Sequence, residues 1–316
     1  MNTIIHCLLQ FFALILLAVW VSGFVAVLKA RLQNRIGPPI LQPALNIIRL
    51  FAKGEVYGKE TSFIFSAAPS IILAASILLG YCLPWTVSTV DLGGSDLFLV
   101  IYLLAMIRFA SIMGALDTGS PLCGFGASRE ATLSILTEPA LIMTFIALAL
   151  RYKSTSLADI FAYGSTGSSV DVAIWLLATG AFFIISLVEL SRMPADDPTT
   201  HLELTMVHES MLLEYSGRNL AYVQLGYAIK QLLLYGLVAQ CAVHALAIYL
   251  PFSLPLQQPG LLALHLAVLF MVAATVALIE TSFVKLKWTK VPELISYAVT
   301  LSLLACGASI LRGAWG

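Results

Sequence analysis

Eight stretches of this chain run almost without a charged residue for about 20 positions, the length that crosses the hydrocarbon of a bilayer as a helix. They cover 4–28, 67–85, 97–116, 133–150, 171–190, 221–249, 261–283 and 292–311. In lipid every backbone N–H and C=O must be satisfied within its own segment, so each run is predicted to be an α-helix. The connections are too short to hold a separate soluble domain. The pattern predicts a single integral membrane domain over 1–316, all-α and polytopic, with amphipathic and loop helices added on one side.

Composition sharpens this picture. With 59% hydrophobic and 11% charged residues, the chain has too few polar side chains to coat a water-soluble protein of its size. Lys+Arg and Asp+Glu stand at 17 each, giving a formal net charge of +0, which removes the basic footprint that a nucleic-acid partner needs and leaves lipid as the surroundings. Cys7, Cys82, Cys123, Cys241 and Cys306 are far apart and form no C-x-x-C pair, so no metal and no cofactor is expected in the chain. The first run has no basic n-region, is long for an h-region and is followed by Lys29, Arg31 and Arg35; it reads as a retained span. Basic residues crowd into the odd-numbered connections, while the opposite side carries Arg151, Lys153 and Arg312. The positive-inside rule then puts both termini outside and the long odd loops in the cytoplasm.

Polar residues concentrate in those loops and in the helix ends that feed them. Loop 1 carries Arg31, Arg35 and the stiff Gly37-Pro38-Pro39 turn, followed by an amphipathic stretch over Ala44–Lys53. Two readings stand for it: a membrane-surface anchor with Arg49 and Lys53 snorkelling to lipid phosphate, or a turn that holds Arg35 against a partner or a ligand channel. Arg108, Glu138, Glu189, Lys230 and Glu280 fall within or at the edge of spans, where an ionised side chain needs a partner or a function. Arg108 and Asp117, nine apart, lie on opposite helix faces, so their partners must come from other helices. Glu138 precedes Pro139, where freed backbone groups and a carboxylate can hold water and relay protons. Lys230 and Glu280 suit a structural interhelical pair equally well.

Loop 5 is the densest segment, with Arg192, Asp196, Asp197, His201, Glu203, His208, Glu209, Glu214 and Arg218. Asp197 before Pro198 has the pattern of an N-cap followed by Pro at N1, which predicts a helix from Pro198 to about Leu213. His201 and His208 are seven apart, not the four a zinc-binding helix needs. A solvated amphipathic helix and a functional acidic cluster, joined by Glu130 of loop 3, remain the two readings. No nucleophile triad, phosphate loop or dinucleotide fingerprint sits in a strand-turn-helix context, so catalysis by this chain alone is not expected.

Several of these runs resemble a known family. Arg31-x-Gln33-x-Arg35-x-Gly37-Pro38 with Gln42-Pro43, the Arg192-x-Pro194-x-Asp196-x-Pro198 segment and Glu214-Tyr215-Ser216-Gly217 resemble the quinone-chamber membrane subunit of respiratory complex I, across nearly the whole chain. Where that subunit has an acidic Pro-Glu-Ala-Glu run, this chain has Pro198-Thr199-Thr200-His201. Asp117-Thr-Gly-Ser-Pro121, Gly126-Ala-Ser-Arg129-Glu130 and Glu138-Pro139 instead look like the version in group 4 membrane-bound NiFe-hydrogenases and formate hydrogenlyases.

The resemblance implies a non-catalytic subunit in a bacterial or archaeal cytoplasmic (inner) membrane. Its partners would be hydrogenase-like large and small peripheral subunits, an iron–sulfur subunit and antiporter-like membrane subunits. The 4Fe–4S and NiFe centres would lie in those partners, and the altered acidic run weighs against quinone. Carried over by position, Glu138 and Glu189 would be intramembrane proton-path carboxylates, with Asp196, Asp197, Glu203, Glu209 and Glu214 at the loop 5 junction and Glu130 and Asp117 beside them. Arg31 and Arg35 would dock the partner, with Arg129, Arg192 and Arg218 balancing charge. Gln at Glu138 or Glu189 would then preserve assembly and reduce coupled ion transport. A quinone-site subunit of a complex I type dehydrogenase, a stand-alone ion transporter and a purely structural anchor are the alternatives; the lack of a visible repeat argues against the transporter.

Overall fold

The structure is a computed structural model that describes residues 2–84, 95–162, 169–196, 206–247 and 257–315. Eight of its helices are long and apolar enough to cross a membrane, matching the eight predicted runs. In chain order the helices are α1 (Asn2–Leu32), α2 (Gln42–Phe51), α3 (Phe63–Cys82), α4 (Leu97–Leu116), α5 (Pro121–Tyr152), α6 (Leu157–Ile160), α7 (Ser169–Glu189), α8 (His208–Leu212), α9 (Gly217–Ala247), α10 (Gln257–Ser282) and α11 (Val291–Trp315). Beyond helices, the described residues hold one isolated bridge, between Asp96 and Ser156, which ties the start of α4 to the segment after α5.

Helix α9 is the hub. It packs against α1, α2, α3, α7 and α10, while α11 closes the far side against α5 and α7. Its least polar stretch is 89% buried against 28% for α11, so α9 can carry Gln231, Gln240 and Lys230 inside the bundle at little contact with lipid. Peripheral helices show the one-sided pattern of a lipid-facing span. Leu14, Ala18, Val21 and Val25 of α1 recur at helical spacing and face inward, while Phe12, Leu16 and Trp20 face outward.

Three boundaries differ from the sequence expectation, and each places charged residues on a helix and not in a loop. Helix α5 begins at Pro121, so Arg129 and Glu130 lie on a helix and not in a loop. Pro at its first position suits a helix start, and Cys123, Gly126, Ala127, Glu130, Leu133 and Thr137 form one inward stripe that continues the apolar face without a break. At about 1.5 Å per residue the helix is roughly 48 Å long, more than a bilayer core, so its first turns stand clear of the hydrocarbon. Helix α1 runs to Leu32 and carries Lys29 and Arg31 in its last turn, and α9 starts at Gly217, placing Arg218 in its first turn.

The amphipathic stretch of loop 1 is α2. Its Ile47 is buried with Val19 and Ala221, while Ile48 and Arg49 are exposed. The link from α1 to α2 crosses so close to α1 that a Cβ on Gly23 would lie 1.9 Å from the Ile40 carbonyl oxygen, so only glycine fits there. Of the helix expected from Pro198 to about Leu213, residues 198–205 lie outside the described residues. Met206 and Val207 are not helical and only His208–Leu212 form α8. Asp196 Oδ2 accepts the Val207 N–H at 3.1 Å, which takes that N–H out of a helical ladder, and α8 begins at the next residue. Asp197, Pro198, His201 and Glu203 lie outside the described residues.

Candidate functional site

Helix α7 ends in a turn that makes the site. Ser191 is left-handed at φ 47 and the Arg192 N–H reaches back to the Leu187 carbonyl at 2.8 Å, the pattern of a helix stop that satisfies the last carbonyls. A non-glycine residue in this region costs on the order of 1 kcal/mol, offset here by the hydrogen bonds it allows. The turn leaves Glu189 pointing into the bundle and swings Arg192 alongside α9 and α10.

Glu189 is the centre of a buried ion network. Its Oε1 accepts Arg108 Nη1 at 2.6 Å and Thr137 Oγ1 at 3.3 Å. Lys230 Nζ lies 3.0 Å from its Oε2 and donates to its backbone carbonyl at 3.0 Å. The other arm of Arg108, Nη2, reaches Glu138 Oε1 at 2.6 Å. The side chains of Arg108, Glu189 and Lys230 are at most 4% exposed, whereas that of Glu138 is 39% exposed on the flank of α5. The network thus runs from the bundle interior to one lateral face. Four charges at these distances stabilise one another because each ion taken from water has a counter-ion and further hydrogen bonds.

A second cluster sits at the loop side. Glu280 of α10 accepts Arg192 Nη1 at 3.0 Å and pairs with Lys29 of α1 at 3.2 Å, while Arg192 Nη2 reaches Gln231 at 3.1 Å. Lys230 and Glu280 are therefore not each other's partner; each is matched to a different helix. Both clusters touch a cavity of about 680 Å³ between α1, α2, α8 and α9, whose walls include Ile47, Leu212, Tyr227, Gln231, Glu189 and Arg192. His208 also lines it and stacks edge-on against Tyr227 at 4.1 Å. Tyr227 in turn shares a 2.6 Å hydrogen bond with Ser111. Burial, with Lys230 and Arg192 nearby, pushes the His208 imidazole down to about 3, so it is neutral at physiological pH.

The remaining candidates fall elsewhere. Asp196 accepts Lys285 and the Val207 N–H and so holds loop 5 to the segment after α10. Glu209 lines the cavity mouth, where desolvation raises its carboxyl and Arg192 partly offsets the shift. Glu130 is buried inside α5 beside the network. Asp117 stands apart: it accepts Ser62 Oγ and the N–H groups of Ser62 and Phe65, capping α3, and the Ser62 hydroxyl holds its carboxyl below the ordinary range. Arg129 donates to the Met206 carbonyl and lies 5.9 Å from the Trp288 ring. Arg31, Arg35, Glu214 and Arg218 are exposed, and Arg218 is only loosely paired, at 3.9 Å from Glu55.

Sequence reasoning passed over Lys29, Thr137, Gln231 and Tyr227, and read His208 only as a failed metal ligand. Lys29 counted as a flanking cation because the end of α1 was placed one turn too early. Among the described residues no group of three or more His, Cys, Asp or Glu side chains converges as a metal set.

The chain is similar to known proteins over most of its length. The family described as NADH dehydrogenase matches residues 5–310. Hydrogenase-4 component C of Escherichia coli (strain K12) is 34% identical over 253 residues, which is 79% of this chain and 76% of that protein. Formate hydrogenlyase subunit 4 of the same organism is 29% identical over 305 residues, 92% of this chain and 94% of that one. A chain in the structure of the membrane-bound sulfane sulfur reductase, an archaeal respiratory membrane complex, superposes with a TM-score of 0.81 at 21% identity, covering 98% of this chain and 100% of that chain, and so shares its fold. With the match running almost end to end, this chain is a multi-pass membrane member of the NADH dehydrogenase family, similar to the hydrogenase-4 and formate hydrogenlyase subunits.

Proposed function

We propose that this chain is the membrane-anchor and coupling subunit of a respiratory oxidoreductase complex of the group 4 NiFe-hydrogenase or formate hydrogenlyase type. One observation carries the reading: a buried line of ion pairs leads from a loop-side cavity through Glu189 and Arg108 to Glu138 on a lateral face. Charges are kept at this depth only where they pair and where protonation or ion movement has a use. In this reading the loop side is cytoplasmic and both termini lie outside. The exposed residues of the segment from Arg31 to Thr61, Ile36 among them, receive the peripheral large, small and iron–sulfur subunits that hold the NiFe and 4Fe–4S centres. The face bearing Glu138 meets the antiporter-like subunits. The names of the related hydrogenase and formate hydrogenlyase subunits support this assignment.

The test is Glu138→Gln in the purified complex returned to vesicles. The complex is expected to assemble while ion uptake per turnover falls about 100-fold, the scale of a lost proton-transfer group. Undiminished uptake sinks the coupling role.

A second reading rests on the cavity. Its volume, its apolar wall and its polar groups Gln231, His208 and Tyr227 suit a quinone headgroup. Inhibitor-sensitive quinone reduction by the purified complex, without hydrogen evolution, would favour this over the hydrogenase reading.

A further inference from the structure

Glu130 is the one carboxylate at the centre of the bundle to which the described structure gives no counter-ion. Its residue is 7% exposed and its Oε2 meets no hydrogen-bond partner among the described residues. No described cation lies within ion-pairing distance of it. Its sequence neighbour Arg129 turns away to the Met206 carbonyl and the Trp288 ring. The charged groups near it are Arg108 from α4, Glu189 from α7, Lys230 from α9 and Asp196 from loop 5, with Tyr227 of α9 also close by.

Each of the charged groups is already engaged. Arg108 and Lys230 are matched by Glu189 and Glu138. Lys285 is matched by Asp196. In the cavity, Lys29 and Arg192 face Glu280, with Glu209 near Arg192. The described charges balance without Glu130. An ionised carboxylate added to a balanced interior, with one oxygen unbonded, faces the full desolvation penalty, whereas a neutral carboxyl does not. The contrast with Glu189 is direct. Two cations and a hydroxyl fix that side chain as an anion, so it cannot accept a proton without leaving both cations buried with a neutral partner.

We infer that Glu130 is the protonated, exchangeable carboxyl of the network and Glu189 its permanent anion. The inference rests on the reading of the network as a proton path and names the group within it that loads. When Glu130 gives up its proton to water, a negative charge appears beside Lys230 and Arg108, and those cations are then drawn from Glu189 and Glu138. Reprotonation restores the pairing seen here. The lateral carboxylate Glu138 and the interior one would thus communicate through the cations between them.

Infrared difference spectroscopy of the assembled complex, recorded in H₂O and D₂O, tests this. Wild type is expected to show the carbonyl stretch of a protonated, buried carboxyl, shifted in D₂O. The band is expected to vanish in Glu130→Gln and to persist in Glu138→Gln. A band that survives in Glu130→Gln, or is missing from wild type, overturns the assignment. Because Gln has the shape and neutrality of a protonated Glu, Glu130→Gln is expected to assemble to the wild-type level and Glu130→Lys is not; failure of Glu130→Gln to assemble also overturns it. The coupling reading fails separately: a wild-type complex that moves no ions in vesicles sinks that reading, and the infrared band still decides the state of Glu130.

Discussion

Arg108 and Lys230 are buried cations, each held by a carboxylate from another helix. Arg108→Met removes the cation shared by Glu189 and Glu138, leaving Glu189 with Lys230 alone and Glu138 with no counter-ion among the described residues. Breaking a buried pair from one side costs about 3–5 kcal/mol. The expected result is little or no assembled complex on a native gel. The same argument revises the expectation for Glu189. Its replacement by Gln leaves Lys230, whose side chain is 1% exposed, with no anion in contact, so assembly is expected to suffer and not transport alone.

His208 supplies a pH test. Its folded value of about 3 lies below the ordinary 6.5, so the unfolded chain binds the proton more readily. Stability from this group is fully present above 6.5 and is lost as pH falls toward 3, amounting to about 2 kcal/mol by pH 5. Thermal inactivation should therefore steepen between pH 6.5 and 5 in wild type and less so in His208→Gln. An unchanged profile in the variant would remove His208 as the cause.

At the scale of elements, the contact between α1 and the link to α2 is the most exacting. Gly23→Ala places a methyl group 1.9 Å from the Ile40 carbonyl oxygen, and because the obstacle is backbone the whole link must move. The exposed Arg31–Arg35 segment should then become more sensitive to trypsin than in wild type, a difference visible by mass spectrometry. The N-terminus of α3 offers a milder case. Asp117→Ala removes three hydrogen bonds at a helix start and is expected to cost about 1 kcal/mol.

Much of the element list was legible in the sequence because a span must be apolar for its whole length, and each of the eight runs became a helix. What was not legible is where a helix continues past the lipid. The polar residues Arg129 and Glu130 suggested a loop, yet they belong to α5, whose inward face is completed by α8 and not by lipid. The non-helical Met206 and Val207 show the same limit, since the bond from Val207 to Asp196 is made between residues 11 apart and leaves no mark in local spacing. The intramembrane charges were recognisable one by one. Their pairing was not, since Arg108 and Glu189 are 81 residues apart and only packing of α4 on its neighbours brings them together.

Seen as one molecule, the bundle is asymmetric. Its hub is buried, most outward side chains of its spans are apolar, and Glu138 is an ionisable group 39% exposed at the depth of a span. An ionised carboxylate facing hydrocarbon is costly, so another polypeptide should cover that flank. A cysteine introduced at Ile135, three residues from Glu138 and 70% exposed, should cross-link to an adjoining membrane subunit, whereas one at Phe12, 66% exposed on α1, should react with a lipid-phase probe. The reverse labelling pattern would place the partner on the other side of the bundle. Arg108 gives this flank its character. A single guanidinium rivets α4 to α5 and to α7, so the three helices share one fastener, and whatever neutralises the outer carboxylate leaves the inner one with the whole grip. A proton arriving from a neighbouring subunit would in this way be registered some distance inside as a tightening, with no helix having to travel.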